Sequence, residues 1–126
     1  MKSKNVVAAI IKKNNQYLIV QRNRKKHLGL KWEFPGGKVD SDESFEDALK
    51  RELKEELDIE IKINKKIAEE AYIDEKIDIK LHYFECSHYS GKIALNEHED
   101  FKWVLQKDMH VYDFAEADKR VTIKLV

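Results

Sequence analysis

The most informative stretch of this chain is Gly36–Ile59, with the sequence GGKVDSDESFEDALKRELKEELDI. It begins with two glycines, passes through a short acidic segment and ends in a run of strong helix formers. Ser44 and Asp47 have the spacing of a helix start, in which the serine oxygen accepts a hydrogen bond from the N–H group three residues later. The stretch therefore predicts a helix over residues 44–57.

Acidic side chains lie beside the apolar stripe of this predicted helix. The stripe repeats every four residues and consists of Phe45, Leu49, Leu53 and Leu57. With about 100° of rotation per residue, Glu52 and Glu56 lie within about 20° of Phe45. Glu55 lies about 80° away, at the border of the stripe. Like charges crowded beside a core repel one another, and carboxylate oxygens suit hard divalent cations such as Mg²⁺, Mn²⁺ or Ca²⁺. The pattern therefore indicates a site for such an ion, with Arg51 placed to orient one carboxylate.

The spacing of these residues resembles the Nudix box. That pattern is a glycine, a glutamate six residues later, and then Arg-Glu-apolar-x-Glu-Glu-x-Gly-apolar. Gly37, Glu43 and residues 51–59 match it, except that Asp58 stands where the family usually has glycine. The glycine ends the helix with a positive φ, which aspartate tolerates better than most residues. We therefore expect a small cost in stability at this position and no lost ligand.

The residues before the helix resemble the MutT branch of the Nudix family, whose members commonly carry Glu-Phe-Pro-Gly-Gly-Lys here. Residues 33–38 have that sequence. Pro35 requires an extended Phe34, and the two glycines are expected to make a sharp turn that brings the backbone close to a bound phosphate. The alternative role for Phe34 is packing in the core.

The resemblance implies roles for residues along the whole chain. The implied metal ligands are Gly36, Glu52, Glu55, Glu56 and Glu97. The implied catalytic residues are Glu52 or Glu97 as general base, with Arg51 and Glu43 in support. The implied substrate contacts are Arg22, Glu33, Phe34, Lys38 and Asp118.

Several of these positions have alternatives. Glu99 or Asp100 could replace Glu97 if the loop register differs, and all three could form a solvated acidic loop. Asp118 could be an ordinary acid in the first turn of a helix, where the helix dipole favours it. The lysines of the loop 23–31 are either solvated or attract an anionic substrate. A structural role is expected for His98.

Elsewhere the sequence predicts a hairpin, further strands and a terminal helix. The predicted elements are the hairpin Val6–Lys12 and Tyr17–Val20 around Asn14-Asn15, strands over 59–63 and 77–86, a helical turn over 106–112 and an amphipathic helix over 114–125. The family resemblance implies an α/β fold of the Nudix type, an α/β/α sandwich with a central mixed β-sheet.

Composition limits the function classes. The chain of 126 residues has a net charge of zero and one cysteine, Cys86. We expect a single domain over residues 1–126 and no nucleic-acid polymer as partner, because the charge is balanced. A reducing compartment is expected because no internal disulfide can form. The sequence has neither a signal-peptide pattern nor an apolar run of membrane-spanning length, so we expect a cytoplasmic protein without a membrane partner.

The resemblance also implies an activity, the hydrolysis of nucleoside triphosphates to a monophosphate and pyrophosphate with Mg²⁺, or Mn²⁺, as cofactor. Oxidised purine nucleotides such as 8-oxo-dGTP are the expected substrates, and CTP or a modified dCTP is the alternative. A nucleotide-sensing module without catalysis is the alternative from another class, and the intact Glu52, Glu55 and Glu56 argue against it. A monomer is expected, with a homodimer as the alternative.

Overall fold

A computed structural model describes residues 3–125, apart from the side chain of Tyr89. Met1, Lys2 and Val126 of the predicted domain lie outside the described residues. In chain order the elements are β1 (Lys4–Lys13), β2 (Gln16–Gln21), β3 (Trp32–Glu33), β4 (Gly36–Lys38), α1 (Phe45–Leu57), β5 (Glu60–Ile73), β6 (Asp78–Ser90), β7 (Asp100–Leu105), a 3₁₀ turn (Gln106–Val111) and α2 (Glu116–Thr122). Between residues 3 and 125, no helix is long and apolar enough to cross a membrane.

The strands form a mixed sheet, as expected. Its order is β3-β2-β1-β6-β5, with β4 paired to β1 and β7 paired to β2. The pair β1 and β6 is parallel, and the other pairs are antiparallel. Pairing between β1 and β2 is confined to Lys12 with Tyr17 and Lys13 with Gln16. Beyond these residues β1 pairs with β4 while β2 pairs with β3 and β7, so the two halves of the sheet separate.

Helices cover both faces of the sheet, which confirms the α/β/α sandwich. Val7, Ala9 and Ile11 of β1 belong to the core cluster that contains the leucines of α1. Ala8 and Ile10 belong to the cluster on the other face, which contains residues of α2. Alternate side chains of one strand are therefore buried on opposite faces. This explains why the strand is apolar almost without interruption.

Helix α1 begins and ends as the sequence predicts. The N-cap Ser44 accepts a hydrogen bond from the N–H of Asp47 at 3.0 Å. At the other end, Asp58 adopts the left-handed conformation with φ 56° and ψ 36°, and its N–H bonds the carbonyl of Lys54 at 3.0 Å. Aspartate therefore takes over the backbone role of the family glycine.

Two predicted elements differ most from their predicted bounds. Strand β5 continues to Ile73, ten residues beyond its predicted end. Register shifts between Ile63 and Lys65 and between Lys66 and Ala68 break the alternation of apolar residues that the prediction relied on. The terminal helix is shorter than predicted because the N–H of residue 115 bonds the carbonyl of residue 32, which keeps this segment beside β3 until α2 begins. The predicted hairpin and the helical turn after β7 are confirmed.

Replacing Asp58 by Gly is expected to raise the free energy of unfolding by about 0.5–1 kcal/mol, because glycine adopts positive φ without strain and removes an acid from a helix C-terminus. The half-exposed pair with Lys54, at 3.1 Å, offsets little of this gain. Asp58→Ala is the matched control and should be less stable than wild type, since it retains the Cβ and loses the polar side chain. Urea unfolding followed by circular dichroism measures both, and a variant Asp58→Gly no more stable than wild type would contradict the expectation.

Candidate functional site

A cavity of about 560 Å³ opens where the two halves of the sheet separate. Its walls come from β1, the loop after β2, β3, β4, the second half of α1, the end of β5, the start of β6, the segment before β7 and the start of α2. Ten of the twelve predicted site residues line it: Arg22, Glu33, Phe34, Gly36, Lys38, Glu52, Glu55, Glu56, Glu97 and Asp118. Of the other two, Arg51 bonds Glu52 of this wall, and Glu43 bonds Arg51.

The three glutamates of α1 differ in burial according to their rotation from the apolar stripe. Glu56 is buried, with 7% of its surface exposed. The side chain of Glu52 is 15% exposed, and that of Glu55 is 58% exposed. The leucines set this order, since their burial fixes the rotation of the helix. As a result, two carboxylates face the cavity from a largely desolvated position.

Arg51 connects the glutamates to the loop before the helix. Its Nε and Nη2 bond the two carboxylate oxygens of Glu43 at 2.8 and 2.9 Å. Its Nη1 bonds Glu52 at 3.0 Å and Glu55 at 3.3 Å. The fork of Arg51 lowers the pKa of Glu43 to about 2. Arg51 thus contacts Glu52 and Glu55 of the cluster, and its role in orienting one of them stays a prediction.

Glu97 lies beside the helix because the preceding segment bonds the end of α1. The N–H groups of Ala94 and Asn96 and the side-chain amide of Asn96 donate to three carbonyls of the last turn. The acceptors are the carbonyls of Leu57, Glu56 and Glu55, at 2.9, 3.1 and 2.9 Å. The Glu97 carboxylate contributes, after burial and the charge of Glu52, to raising the pKa of Glu56.

The two substitutes considered for Glu97 lie elsewhere. Glu99 forms bonds of 3.1–3.2 Å to the backbone and guanidinium of Arg24. Asp100 begins β7, and its carboxylate accepts from the N–H of Phe101. Neither residue lines the described part of the cavity. Of these three acidic residues, Glu97 is the one that lines the described part of the cavity.

The acidic end of the cavity contains buried carboxyl groups that the protein does not fully compensate with opposite charge or hydrogen bonds. Burial, followed by the charge of Glu52, raises the pKa of Glu56 to about 9. Burial likewise raises the pKa of Glu52. Oε1 of Glu56 is buried and has no hydrogen-bond partner among the described residues. A set of carboxylates with an orphaned oxygen is the chemistry that suits a hard divalent cation.

The carboxylates do not yet surround a common point. Within residues 3–125, no three Asp, Glu, His or Cys side chains are gathered as a ready-made ion site. Uncompensated carboxylates repel one another. The donor set therefore fits a divalent cation, and the ligands would have to close around it.

Arg22, Glu33 and His98 form a network in the middle of the cavity. Nη1 of Arg22 donates to Glu33 at 2.9 Å, and its Nε donates to the carbonyl of His27 at 3.0 Å. Nε2 of His98 lies 3.2 Å from the other Glu33 oxygen. Nδ1 of His98 is buried and, among the described residues, has no hydrogen-bond partner. Arg22 is thus held by protein groups, and its guanidinium has capacity left for a ligand.

Asp118 and Phe34 lie together at the other end of the cavity. Asp118 is 3% exposed, and its Oδ2 accepts from the N–H of Phe34 at 2.9 Å while its Oδ1 accepts from the hydroxyl of Tyr83. Burial and the charge of Glu33 raise the pKa of Asp118 to about 7. The residue lies in the first turn of α2, as the alternative role required, but its carboxylate is buried against β6 and the residue that follows β3. The ring of Phe34 packs on Tyr83 and Phe114, so it serves the core as well as the cavity wall.

The two glycines of β4 do not make the sharp turn expected of them. Neither has a positive φ. A Cβ on Gly36 would lie 1.9 Å from the carbonyl oxygen of Val7, and one on Gly37 would lie 2.3 Å from the Glu52 carboxylate. Both are required by close packing, and Gly37 in particular leaves room for Glu52.

Four residues important to this arrangement were missed or underrated from the sequence: Lys26, Tyr83, Asn96 and His98. Lys26 lines the cavity, with Nζ 3.6 Å from Glu97. Tyr83 is fully buried on β6 beneath Asp118. These contacts join segments far apart in the chain, and no local pattern reveals them. The one usable signal was the position of Asn96 and His98 on either side of Glu97.

Known proteins similar to this chain share its length and fold. The model of the NUDIX domain matches residues 1–125. An 8-oxo-dGTP diphosphatase of Buchnera aphidicola subsp. Schizaphis graminum is 34% identical over 121 residues, covering 96% of this chain and 92% of that protein. A CTP pyrophosphohydrolase of Escherichia coli K12 is 36% identical over 118 residues, covering 94% and 87%. The crystal structure of a MutT NUDIX hydrolase from Burkholderia pseudomallei matches with a TM-score of 0.91 over 100% of both chains, at 22% identity, which shows the shared fold.

Nudix hydrolases generally use divalent metal ions, in agreement with the acidic end of the cavity. From the domain match, the full-length relatives and the geometry of the glutamates, this chain belongs to the Nudix hydrolase family, whose enzymes cleave acid anhydrides.

Proposed function

We propose that this protein hydrolyses nucleoside triphosphates to a nucleoside monophosphate and pyrophosphate with Mg²⁺ or Mn²⁺, and that its substrates are oxidised purine nucleotides such as 8-oxo-dGTP. The observation that carries the proposal is a single cavity of about 560 Å³ with carboxylates at one end and the buried Asp118 at the other. The acidic end suits a metal with polyphosphate, and the Asp118 end suits a base. We propose that it acts as a small monomeric enzyme of the cytoplasm, without a nucleic-acid polymer as partner.

The metal would be held by Glu52, Glu55, Glu56 and Glu97, with the backbone of Gly36 as a further ligand. When bound, it supplies positive charge to the phosphate oxygens and makes water at the site more acidic. The buried Glu56 oxygen without a partner supports this assignment.

The chain's own residues then position the substrate and move the proton. Arg22 and Lys38 hold the polyphosphate against the cavity wall by charge. Glu52 or Glu97 accepts the proton of the attacking water. Water attacks the β-phosphorus in this scheme, and the bond from that phosphorus to the bridging oxygen of the α-phosphate breaks. Arg51, itself anchored by Glu43, keeps Glu52 in place for this step.

Asp118 is the residue that would discriminate between bases. An ionised carboxylate only accepts hydrogen bonds, so it favours an amino-bearing edge such as guanine N1/N2 or cytosine N4. A protonated Asp118 could also donate, and the pKa of about 7 makes both forms accessible near neutral pH. CTP or a modified dCTP is therefore the second candidate substrate, supported by the 36% identity to a CTP pyrophosphohydrolase. Retention of every box carboxylate argues against a sensor without catalysis.

Pyrophosphate release across a nucleotide panel tests the proposal directly. The panel contains 8-oxo-dGTP, dGTP, CTP, 5-methyl-dCTP and ADP-ribose with Mg²⁺, ranked by kcat/KM. The highest value is expected for 8-oxo-dGTP. A preference for the cytosine nucleotides would select the second candidate, and tight binding without turnover of any nucleotide would indicate a sensor.

Glu56→Gln is expected to lower kcat by at least about 100-fold while the protein remains folded, because the amide cannot supply the anionic ligand. Glu46→Gln, on the exposed side of the same helix, is the matched control and should retain activity. EDTA should abolish wild-type turnover, with recovery on adding Mg²⁺. Near-normal turnover of Glu56→Gln at ordinary Mg²⁺ would remove the metal-cluster assignment.

Asp118→Asn is expected to stabilise the protein more at pH 8 than at pH 5. The folded protein binds this proton with a pKa of about 7, against an ordinary value of 3.8, so it holds more protons than the unfolded chain between these pH values. The free energy of unfolding therefore falls as pH rises through this window, and asparagine, which cannot ionise, avoids that loss. The gain at pH 8 should be on the order of 1 kcal/mol.

Thermal unfolding at the two pH values measures this difference, with Asp108→Asn on the exposed 3₁₀ turn as the control. An equal effect of Asp118→Asn at both pH values would show that burial of the ionised carboxylate does not lower the free energy of unfolding.

A further inference from the structure

We infer that Asn96 is a positioning residue, which holds Glu97 against the last turn of α1 so that its carboxylate joins those of Glu52 and Glu56. This inference rests on the proposed role of Glu97 as a metal ligand or base. It adds a residue that acts through Glu97 and has no contact with the substrate.

The segment that carries Glu97 has no regular secondary structure to determine its position. Residues 91–99 connect β6 to β7 and contain neither helix nor strand. The side chain of Glu97 itself is 50% exposed. Its place beside the buried Glu56 must therefore come from specific contacts of its neighbours.

Asn96 supplies the closest of these contacts. Its N–H bonds the carbonyl of Glu56 at 3.1 Å, and its side-chain Nδ2 bonds the carbonyl of Glu55 at 2.9 Å. The last four carbonyls of a helix lack partners within the helix. Asn96 thus donates hydrogen bonds to two carbonyls at the end of α1, and these bonds hold the next residue beside the acidic cluster.

The direct contacts of Glu97 itself are weaker, although the two residues after it are held by their own bonds to Glu33, Gln21 and Arg24. Asn23 Nδ2 lies 3.4 Å from the Glu97 carbonyl, and Lys26 Nζ lies 3.6 Å from the carboxylate. Half-exposed pairs at such distances contribute little. Repulsion from the Glu52 carboxylate acts on the Glu97 carboxylate and pushes it away from the helix. The amide of Asn96 opposes that displacement.

Asparagine is the residue type this position requires. Alanine would keep the backbone bond and lose the side-chain donor. Aspartate has the same shape, but its ionised carboxylate only accepts, so it would face the Glu55 carbonyl without a proton and add charge to the cluster. Asn96→Asp should therefore be at least as harmful as Asn96→Ala.

The first experiment measures Mn²⁺ affinity of the nucleotide-free protein by titration calorimetry, together with kcat and KM. Both Asn96 variants should bind Mn²⁺ about tenfold more weakly, as expected when a group that orients a ligand is lost. Their kcat should fall by a similar factor while KM for the nucleotide changes less than about twofold, since the base end and the cations are untouched. Asn96 is exposed, so the variants should fold, and thermal unfolding verifies this.

Asn64→Ala is the matched control, because Asn64 is an asparagine of β5 whose amide makes only 3.5 Å contacts to Glu85 and Ser87 among the described residues. It should change neither Mn²⁺ affinity nor kcat. Wild-type Mn²⁺ affinity in both Asn96 variants would overturn the inference.

A double-mutant cycle with Glu97→Gln separates positioning from general stabilisation. If Asn96 acts through Glu97, Asn96→Ala should cause no further loss of Mn²⁺ affinity in the Glu97→Gln background. Additive losses would overturn the inference. If Glu97→Gln is defective and Asn96→Ala behaves as wild type, this inference alone is overturned. If Glu97→Gln is fully active with normal Mn²⁺ affinity, the proposed role of Glu97 is overturned, and the inference falls with it.

Discussion

The packing of one helix against the sheet is the constraint on which the site depends. Burial of Leu49, Leu53 and Leu57 stabilises the fold by roughly 1.5–3 kcal/mol for each side chain. Repulsion between neighbouring carboxylates costs on the order of 1 kcal/mol in water and several times more where solvent is partly excluded. Packing therefore decides the rotation of the helix. Glu52 and Glu56 are carried toward the cavity at an energetic cost that remains in the folded protein.

That cost is only partly relieved by the protein itself. Arg51 divides its guanidinium between Glu43, Glu52 and Glu55, and two of its nitrogens are used by Glu43. Glu56 lies beyond these contacts, and its pKa rises to about 9. Binding of a divalent cation would displace the proton that burial keeps on Glu56, because a carboxyl group binds a metal in its ionised form. In this sense the site is prepared for an ion by the same burial that destabilises the charged form.

A similar principle applies at the opposite end of the cavity. Asp118 of α2, Phe34 after β3 and Tyr83 of β6 come from three separate parts of the chain and meet through two hydrogen bonds. The donors keep the carboxylate in place, while burial keeps its pKa near neutrality. Short pairing between β1 and β2 makes room for both ends, because the sheet separates there. The fold thus places a cluster of carboxylates and the buried Asp118 in the walls of the same cavity.

The sequence by itself determined the features encoded within one turn or one strand. The start of α1 at Ser44, its left-handed end at Asp58 and the greater exposure of Glu55 than of its two neighbours in the cluster follow from spacing along a single helix. The contacts that complete the site are different in kind, since Asn96 meets α1 across 41 residues and Phe34 meets Asp118 across 84. Such pairs are selected by register and bulges, which leave no periodic signal, as the unforeseen length of β5 also shows. The local chemistry was therefore readable from the sequence, and only the tertiary structure decided which distant groups share the cavity.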